Sequence, residues 1–345
     1  MSFHLYFRSL SLLSWFIGTF AAIGTDAQDS KPVITLPESW TYSAPLIVPE
    51  NRPSDISHAQ KDPTIVFAEG AWHVFMTVKL ENRSAIEYCS FQDWQQADAA
   101  PRHLLPLSSS NYFCAPQVFF YEPQSQWYLI YQASMPDAKK MWVAYSTTKT
   151  ISDPNSWSTI RPILDGGPED ERIVGGLDFW IICDHENAYL FFTSLNGKLW
   201  RMSAPLDSFP HGFTECTLAL QGEFFEASHT YRLQGLDQYL TLIEVDGRRY
   251  FKAFISDRLD GKWQELLTPA GLPFASWKNI HPGDNTQNWT DNISHGELLR
   301  SGSNQLLEVD PANLQFLFQG MLDSQKSGLP YGRFPWRIGL LRPNY

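Results

Sequence analysis

The chain has 345 residues, of which 43% are hydrophobic and 14% aromatic, so it carries enough apolar side chains for a folded core and is not a disordered protein. Its 37 acidic residues outnumber its 26 basic residues and give a formal charge of −11. This charge argues against nucleic acid or an anionic membrane as a partner, because both require basic surfaces, and it suits an uncharged polymer.

The first residues have the features of a secretory signal. His4 and Arg8 precede an apolar run over residues 10–24, and the small residues Thr25 and Ala27 follow it. The alternative is a single membrane anchor, but the run is shorter than the roughly 20 apolar residues that a spanning helix needs. We therefore predict a signal peptide at residues 1–27 and a secreted, extracellular protein.

Two further features bear on the secretory route. N-glycosylation sequons begin at Asn82, Asn288 and Asn292. The four cysteines permit two disulfides in any of three pairings, although Cys183 lies in an apolar run, which favours a buried free thiol. Their spacing matches no zinc motif, so zinc is not expected. The cysteines are Cys89, Cys114, Cys183 and Cys216.

A hairpin unit recurs along the chain. In each copy an apolar strand is followed by a polar or glycine-containing turn and by a second strand rich in aromatic residues. A spacing of about 50 to 65 residues between copies is typical of propeller blades with loop insertions. We predict an all-β fold, a five-bladed β-propeller over residues 35–345. The copies lie at 62–76, 115–131, 178–192 and 228–243, with a looser fifth at 294–319.

The first strand of each propeller blade lines the central channel, so residues at matching positions converge although they are far apart in sequence. Three carboxylates among five such positions are unexpected in a purely structural channel, because unpaired buried carboxylates are costly. We therefore predict an active site at one end of the channel. The five positions are Asp62, Gln117, Asp178, Glu226 and His295.

Three neighbouring carboxylates suit the hydrolysis of a glycosidic bond. One protonated carboxyl group gives its proton to the leaving oxygen, and one ionised carboxylate attacks the sugar or activates water. A third carboxylate raises the pKa of the acid by like-charge repulsion. Each residue also has a purely structural interpretation, since Asp62-Pro63 commonly opens a turn and His295 is typical of a hydrogen-bonded core histidine. Their equivalent places in the repeat favour the active site.

The ordered segments resemble glycoside hydrolase family 62, whose members are α-L-arabinofuranosidases active on arabinoxylan. The resemblance runs through nearly the whole chain after the predicted signal peptide, from Trp40 to Leu341. Each segment alone is a weak signal, but seven in the same order are specific. The segments lie at 61–63, 72–75, 115–119, 127–132, 178–184, 225–228 and 291–298.

The resemblance implies an inverting mechanism and a role for each site residue. It makes Asp62 the general base, Glu226 the general acid and Asp178 the residue that orients the sugar and tunes the acid. It places His295 beside a calcium ion in the channel, with water supplying most of the coordination. The residues that it implies for contact with the substrate are Lys61, Gln117, Tyr331 and Lys252.

Three positions depart from the family pattern. Gly332 replaces an amide side chain, Trp336 replaces a tyrosine, and Lys252 replaces an arginine, which is not equivalent in bidentate contacts. The resemblance therefore implies an intact catalytic set and altered contacts with the polymer.

Two alternatives remain open at this point. A related five-bladed glycosidase, such as a β-xylosidase, an arabinanase or a fructosidase, would share the acidic channel. A non-catalytic carbohydrate-binding propeller would bind the polymer without cleaving it. The sequence leaves the preferred linkage open and predicts a monomer without a separate carbohydrate-binding module.

Overall fold

The structure is a computed structural model that describes Met1 and residues 34–107, 112–134, 141–173 and 175–345. The predicted signal peptide, apart from Met1, lies outside these residues. In the described part no helix is long and apolar enough to cross a membrane. The helices found there are short 3-10 turns at Trp94–Gln96, Glu122–Gln124, Gly167–Glu169, Glu171–Ile173, Leu206–Ser208, Asp323–Lys326 and Tyr331–Arg333.

Strands dominate the described residues. In chain order they are β1 (Ser39–Tyr42), β2 (Ser57–Ala68), β3 (Ala71–Leu80), β4 (Ser84–Phe91), β5 (His103–Leu104), β6 (Tyr112–Tyr121), β7 (Gln126–Ser134), β8 (Met141–Thr148), β9 (Arg161–Pro162), β10 (Leu177–Cys183), β11 (Asn187–Thr193), β12 (Lys198–Pro205), β13 (Thr217–Gln221), β14 (Glu226–Leu233), β15 (Tyr239–Val245), β16 (Tyr250–Ser256), β17 (Gln264–Leu266), β18 (Ile280–Pro282), β19 (Asn292–Leu298), β20 (Glu308–Val309), β21 (Phe316–Met321) and β22 (Arg337–Asn344).

These strands form five blades. Blade 1 contains β2–β5, blade 2 contains β6–β9, blade 3 contains β10–β13, and blade 4 contains β14–β17 with β20 paired to β14. Blade 5 has the order β18-β1-β22-β21-β19. The inner strands β2, β6, β10, β14 and β19 contact one another in sequence, and β19 contacts β2 to close the ring. The prediction of a five-bladed propeller is confirmed.

The blades form where the repeated hairpins were predicted. In blade 1 the two-residue turn between β2 and β3 consists of Glu69 and Gly70, which both have positive φ, as a type I′ hairpin turn requires. Most residues of the inner strands are buried, because neighbouring blades cover both of their faces. Large aromatic side chains are buried among the strands together with many aliphatic ones, and each removes a large apolar area from water. Those fully enclosed include Trp40, Tyr128, Tyr231, Phe119 and Phe191.

Blade 5 joins strands from the two ends of the propeller domain. The N-terminal strand β1 pairs antiparallel with the C-terminal strand β22, with Thr41 opposite Arg342. The predicted fifth hairpin is therefore only part of this blade, which borrows its fourth strand from the start of the domain.

An ion pair seals the channel between blades 1, 2 and 5. Arg300 Nε lies 2.7 Å from Glu297 Oε1, and its Nη2 donates to the carbonyl oxygens of Ile65 and Val118 at 2.7 and 2.8 Å. Glu297 Oε2 accepts from the Thr64 hydroxyl at 2.6 Å. The channel is thus packed with paired polar groups.

The four cysteines are all free thiols, three of them buried, so neither of the permitted disulfides forms. Among the sequons, Asn82 and Asn288 are exposed, whereas Asn292 is fully buried and its amide nitrogen donates to Asp291 at 2.9 Å. A glycan at Asn292 is incompatible with this folded arrangement.

Candidate active site

Each inner strand has a β-bulge at the same height of the channel. The bulged residues of the first four blades are Asp62, Ala115, Asp178 and Ala227, and all four have a left-handed φ between 48° and 54°. In blade 5 the register shift falls at His295. Non-glycine residues with positive φ are uncommon, and bulges often aim side chains at functional sites.

This alignment corrects the equivalence inferred from the sequence. Asp62, Asp178 and His295 do occupy matching positions, but Glu226 precedes the bulge of its strand by one residue and Gln117 follows its own by two. The structure nevertheless brings the three carboxylates and His295 together at one end of the channel. Each bulge adds a residue on one strand only, and the sequence pattern does not reveal that insertion.

Asp62 lies in a buried but stabilising environment. Burial opposes its ionisation, yet the positive charge of Lys61, the facing His295, and hydrogen bonds from Thr77 and the Ala115 backbone outweigh burial and lower the pKa of this carboxyl group. Asp62 is therefore ionised at neutral pH.

The neighbouring contacts fix the position of Asp62. Its backbone N–H donates to Gln319 Oε1 at 2.7 Å, and its Oδ1 lies 3.3 Å from His295 Nδ1. Two residues of blade 5, Gln319 on β21 and His295 on β19, therefore hold Asp62 through its backbone and its side chain.

Glu226 has the opposite electrostatic setting. Burial and the negative charge of Glu244 raise its pKa to about 7, against the opposing effect of Arg249 and Lys61. Arg249 Nη1 donates to Glu226 Oε1 at 2.8 Å. A carboxyl group with this pKa is largely protonated under mildly acidic conditions and can give up its proton during a reaction.

Asp178 lies between the other two carboxyl groups. Burial, and then the charges of Glu226 and Asp62, raise its pKa well above the usual range. Its Oδ2 accepts a hydrogen bond from the Ala227 backbone at 2.9 Å. The bulged residue of the next blade thus donates to Asp178 in the way that Ala115 donates to Asp62.

His295 has both ring nitrogens engaged with protein groups. Its Nδ1 faces Asp62 and lies 4.0 Å from Asp178 Oδ1, and its Nε2 lies 3.2 Å from Nε2 of the buried His229. Burial lowers the pKa of His295, although Asp62 and Glu244 oppose that effect. The histidine pair forms the floor beneath the carboxylates.

The predicted calcium ion can be compared with these donors. Calcium takes roughly six to eight oxygen ligands, whereas the described residues contain no group of three or more His, Cys, Asp or Glu side chains placed to hold a metal. The protein groups around His295 therefore do not form a calcium cage by themselves. The calcium ion stays a prediction, and no step below depends on it.

Two of the residues predicted to contact the substrate do lie beside the carboxylates. Lys61 Nζ donates to the Tyr331 hydroxyl at 3.1 Å and lies 4.8 Å from the centre of the Tyr331 ring. Burial opposes the charge of Lys61, but Asp62 and Tyr331 raise its pKa well above the usual value. Tyr331 is half exposed and forms part of the rim of the site.

The other two residues predicted to contact the substrate, Gln117 and Lys252, have different surroundings, and their contact with substrate stays a prediction. Gln117 is fully buried, and its amide pairs with the backbone of Ile181 at 2.6 and 2.7 Å, so it joins blades 2 and 3 below the site. Lys252 lies on β16, where it pairs with Glu265 Oε1 at 3.3 Å. Trp336, one of the noted departures, is buried against Ala59 in the core and is not part of the rim.

Sequence reasoning missed two charged residues of the site. Glu244 lies on β15, the second strand of blade 4, and Arg249 lies in the turn between β15 and β16, with its Nη1 at 2.6 Å from Glu244 Oε1. Glu244 also accepts from the Ser294 hydroxyl and the His295 backbone, at 3.0 and 2.8 Å. The sequence offered one signal for Glu244, which is an acidic residue directly after the mostly apolar segment Leu240–Ile243.

Comparison with known proteins identifies this arrangement. The model of glycosyl hydrolase family 62 matches residues 39–342. The chain belongs to glycosyl hydrolase family 62. The resemblance drawn from the ordered segments is therefore confirmed.

Two solved structures from family 62 are similar over nearly their whole length. The catalytic domain of a Coprinopsis cinerea α-L-arabinofuranosidase is 36% identical, with a TM-score of 0.81 over 89% of this chain and 97% of that chain. A family 62 hydrolase in complex with xylotriose is 33% identical, with a TM-score of 0.79 over 88% of this chain and 97% of that chain.

A curated family 62 relative is longer. Alpha-L-arabinofuranosidase C of Cellvibrio japonicus (strain Ueda107) is 37% identical over 316 residues, which are 89% of this chain and 47% of the relative. The present chain thus spans about half the length of that protein.

Proposed function

We propose that this protein is an extracellular α-L-arabinofuranosidase that releases arabinofuranose side groups from arabinoxylan with inversion. The observation that carries this function is the opposite tuning of two carboxyl groups at one end of the channel, Asp62 with a lowered pKa and Glu226 with a pKa raised to about 7. Pairs of acids driven apart in this way are the requirement for glycosidic hydrolysis.

In this mechanism Asp62 takes a proton from a water molecule, which attacks the anomeric carbon of the arabinofuranose. Glu226 gives its proton to the glycosidic oxygen as the bond to the xylose unit breaks. The products are arabinose of inverted anomeric configuration and a xylan chain with a free hydroxyl group. The proton on Asp62 then passes to solvent, and Glu226 takes one back.

Asp178 has a supporting role. Its carboxyl group, held by the Ala227 backbone between Asp62 and Glu226, is placed to hydrogen-bond the hydroxyls of the bound sugar. The raised pKa of Asp178 keeps a second proton in the site and limits the repulsion among the three acids.

Several similarities support the substrate class. The similar solved structures include an α-L-arabinofuranosidase and a complex with xylotriose, and xylotriose is a fragment of the xylan backbone.

The apolar segment and the small residues at 1–27 support secretion. The predicted monomer can be checked by size-exclusion chromatography with light scattering, and the predicted calcium ion by melting curves with calcium and with a chelator.

The deciding experiment measures sugars released from arabinoxylan and from debranched arabinan by chromatography, with Asp62→Ala and Glu226→Gln in parallel. We expect free arabinose from arabinoxylan and its loss in both variants. Proton NMR of the first product gives the anomer and thus tests inversion. Binding of arabinoxylan without any release would instead support a carbohydrate-binding propeller, and release from arabinan alone would support a related glycosidase.

A further inference from the structure

A second cavity adjoins the candidate active site. It has a volume of about 110 Å³, and its lining includes Lys61 and Tyr331, which contact each other beside the carboxylates, and Thr77, which hydrogen-bonds to Asp62. Its walls come from blade 1, from the start of β6 and from the turn before β22. The lining residues that matter here are Lys61, Lys79, Tyr331, Gly332 and Phe334.

Lys79 gives this cavity its charge. The side chain is partly buried on β3, and it forms neither a hydrogen bond nor an ion pair with any residue in the described ranges. Burial, and then the positive charges of Lys61 and Arg333, lower its pKa against the weaker opposing effect of Glu81. An anion in the cavity would relieve that repulsion.

The neighbouring charges do not neutralise Lys79. Glu81 is bound by Arg333, whose Nη1 lies 2.7 Å from its Oε2, and by His58 at 2.7 Å. Lys61 is balanced by Asp62. Among the described residues the Lys79 ammonium group therefore forms no ion pair of its own, on a protein with a net charge of −11.

Gly332 keeps the cavity open above Lys79. A Cβ atom at this position would lie 3.4 Å from Lys79 Cε, so a longer side chain would occupy the space in front of the ammonium group. The rings of Tyr331 and Phe334, with centroids 5.5 Å apart, form an apolar wall at the mouth. A cation behind aromatic rings suits a sugar that carries an anionic group.

We propose that this cavity is a subsite for a carboxylate-bearing sugar, a uronic acid side group carried by the same polysaccharide from which the arabinofuranose is removed. The proposal rests on the proposed function, because Lys61 and Tyr331 line this cavity and also lie beside the carboxylates at the site of cleavage. The volume admits a carboxylate group and part of its ring, with the remainder of the sugar against Tyr331 and Phe334. The enzyme therefore favours arabinofuranose close to a uronic acid on the xylan chain.

The test compares one glucuronoarabinoxylan in its native form with the same polymer after its carboxyl groups have been reduced to alcohols. We expect kcat/KM for arabinose release to be about tenfold higher on the native polymer at low ionic strength, the effect of roughly one charge-assisted hydrogen bond. Equal values on the two polymers would overturn the subsite. Absence of arabinose from both would overturn the proposed function instead.

Two variants locate the effect. Lys79→Met removes the charge while keeping an apolar stem of similar length, and Gly332→Asn fills the cavity without demanding a left-handed backbone. In both variants kcat/KM on the native polymer, divided by kcat/KM on the reduced polymer, should approach one. Lys262→Met, at an exposed position in the β16–β17 turn at the opposite end of blade 4, is the matched control and should keep the wild-type ratio. A wild-type ratio in folded Lys79→Met would overturn the assignment.

Discussion

Arg249 Nη1 lies 2.8 Å from Glu226 Oε1. The same nitrogen lies 2.6 Å from Oε1 of the fully buried Glu244, so one guanidinium group joins the proposed acid to a second carboxylate beneath it. Arg249 lowers the pKa of Glu226 and Glu244 raises it. The balance between these two residues therefore sets the protonation of the proposed acid.

The Arg249→Met variant should separate these effects. Loss of the cation removes an influence that lowers the pKa of Glu226, so the basic limb of kcat/KM should move to higher pH. The variant should also lose about 3–5 kcal/mol of unfolding free energy, because the buried Glu244 loses its counter-ion. Urea denaturation and a pH profile measure the two results.

Lys252→Met is the control for the Arg249 variant. Lys252 pairs with the partly exposed Glu265 at 3.3 Å, and such pairs contribute less than about 1 kcal/mol. Neither the pH profile nor the stability should change appreciably. A basic limb that stays in place in Arg249→Met would contradict the role given to Arg249.

The pH dependence of the wild-type enzyme follows from Glu226. The proposed acid must be protonated in the free enzyme, and its pKa is about 7, so kcat/KM should fall as the pH rises through that value. Glu244→Gln removes the nearby like charge and should shift the fall to lower pH. Initial rates between pH 4 and 9 test both statements, and a wild-type profile that stays flat up to pH 9 would sink the assignment of the acid.

The two proposed catalytic carboxylates should respond differently to the leaving group. Asp62→Asn and Glu226→Gln should each lower kcat on arabinoxylan by about 10²- to 10⁴-fold. An aryl arabinofuranoside with an acidic phenol needs little proton donation, so Glu226→Gln should recover much of its rate on that substrate and Asp62→Asn should not. Equal losses of both variants on the aryl substrate would contradict the division of roles.

The channel ion pair should matter for stability and not for turnover. Arg300→Met leaves Glu297 buried without its cation, and breaking a buried pair in this way costs about 3–5 kcal/mol. Arg300 contacts backbone carbonyls of β2 and β6 and none of the three carboxylates, so kcat/KM at 25 °C should be nearly unchanged. Arg258→Met, at the exposed pair with Asp260, should leave the urea midpoint unaltered.

The sequence predicted the blades well because each hairpin is local. The strands of 62–76, 115–131, 178–192 and 228–243 lie next to one another along the chain, and their alternation of apolar and turn residues is visible without a structure. The fourth strand of blade 5 was not visible, because β1 joins it from the other end of the domain. No local pattern records such a pairing.

The sequence predicted the site residues that lie on the inner strands and missed those that come from other strands and turns. Asp62, Asp178 and His295 repeat at the same bulge, so the period of the repeat found them. Arg249 reaches Glu226 from the turn before β16, whereas Lys252, the residue that the sequence suggested, is the third residue of that strand. Contacts across strands of one blade depend on register, which the sequence pattern does not fix.

The pairing of β1 with β22 also governs how the protein is made. Thr41 and Asn344 hydrogen-bond across a separation of 303 residues, so β1 leaves the ribosome long before the strand with which it pairs. Until β22 is made, the edges of β1 and β21 that it will pair with stay open to other chains. Loss of Arg337–Asn344 alone would leave β1 without its antiparallel partner and blade 5 without the strand that joins β1 to β21.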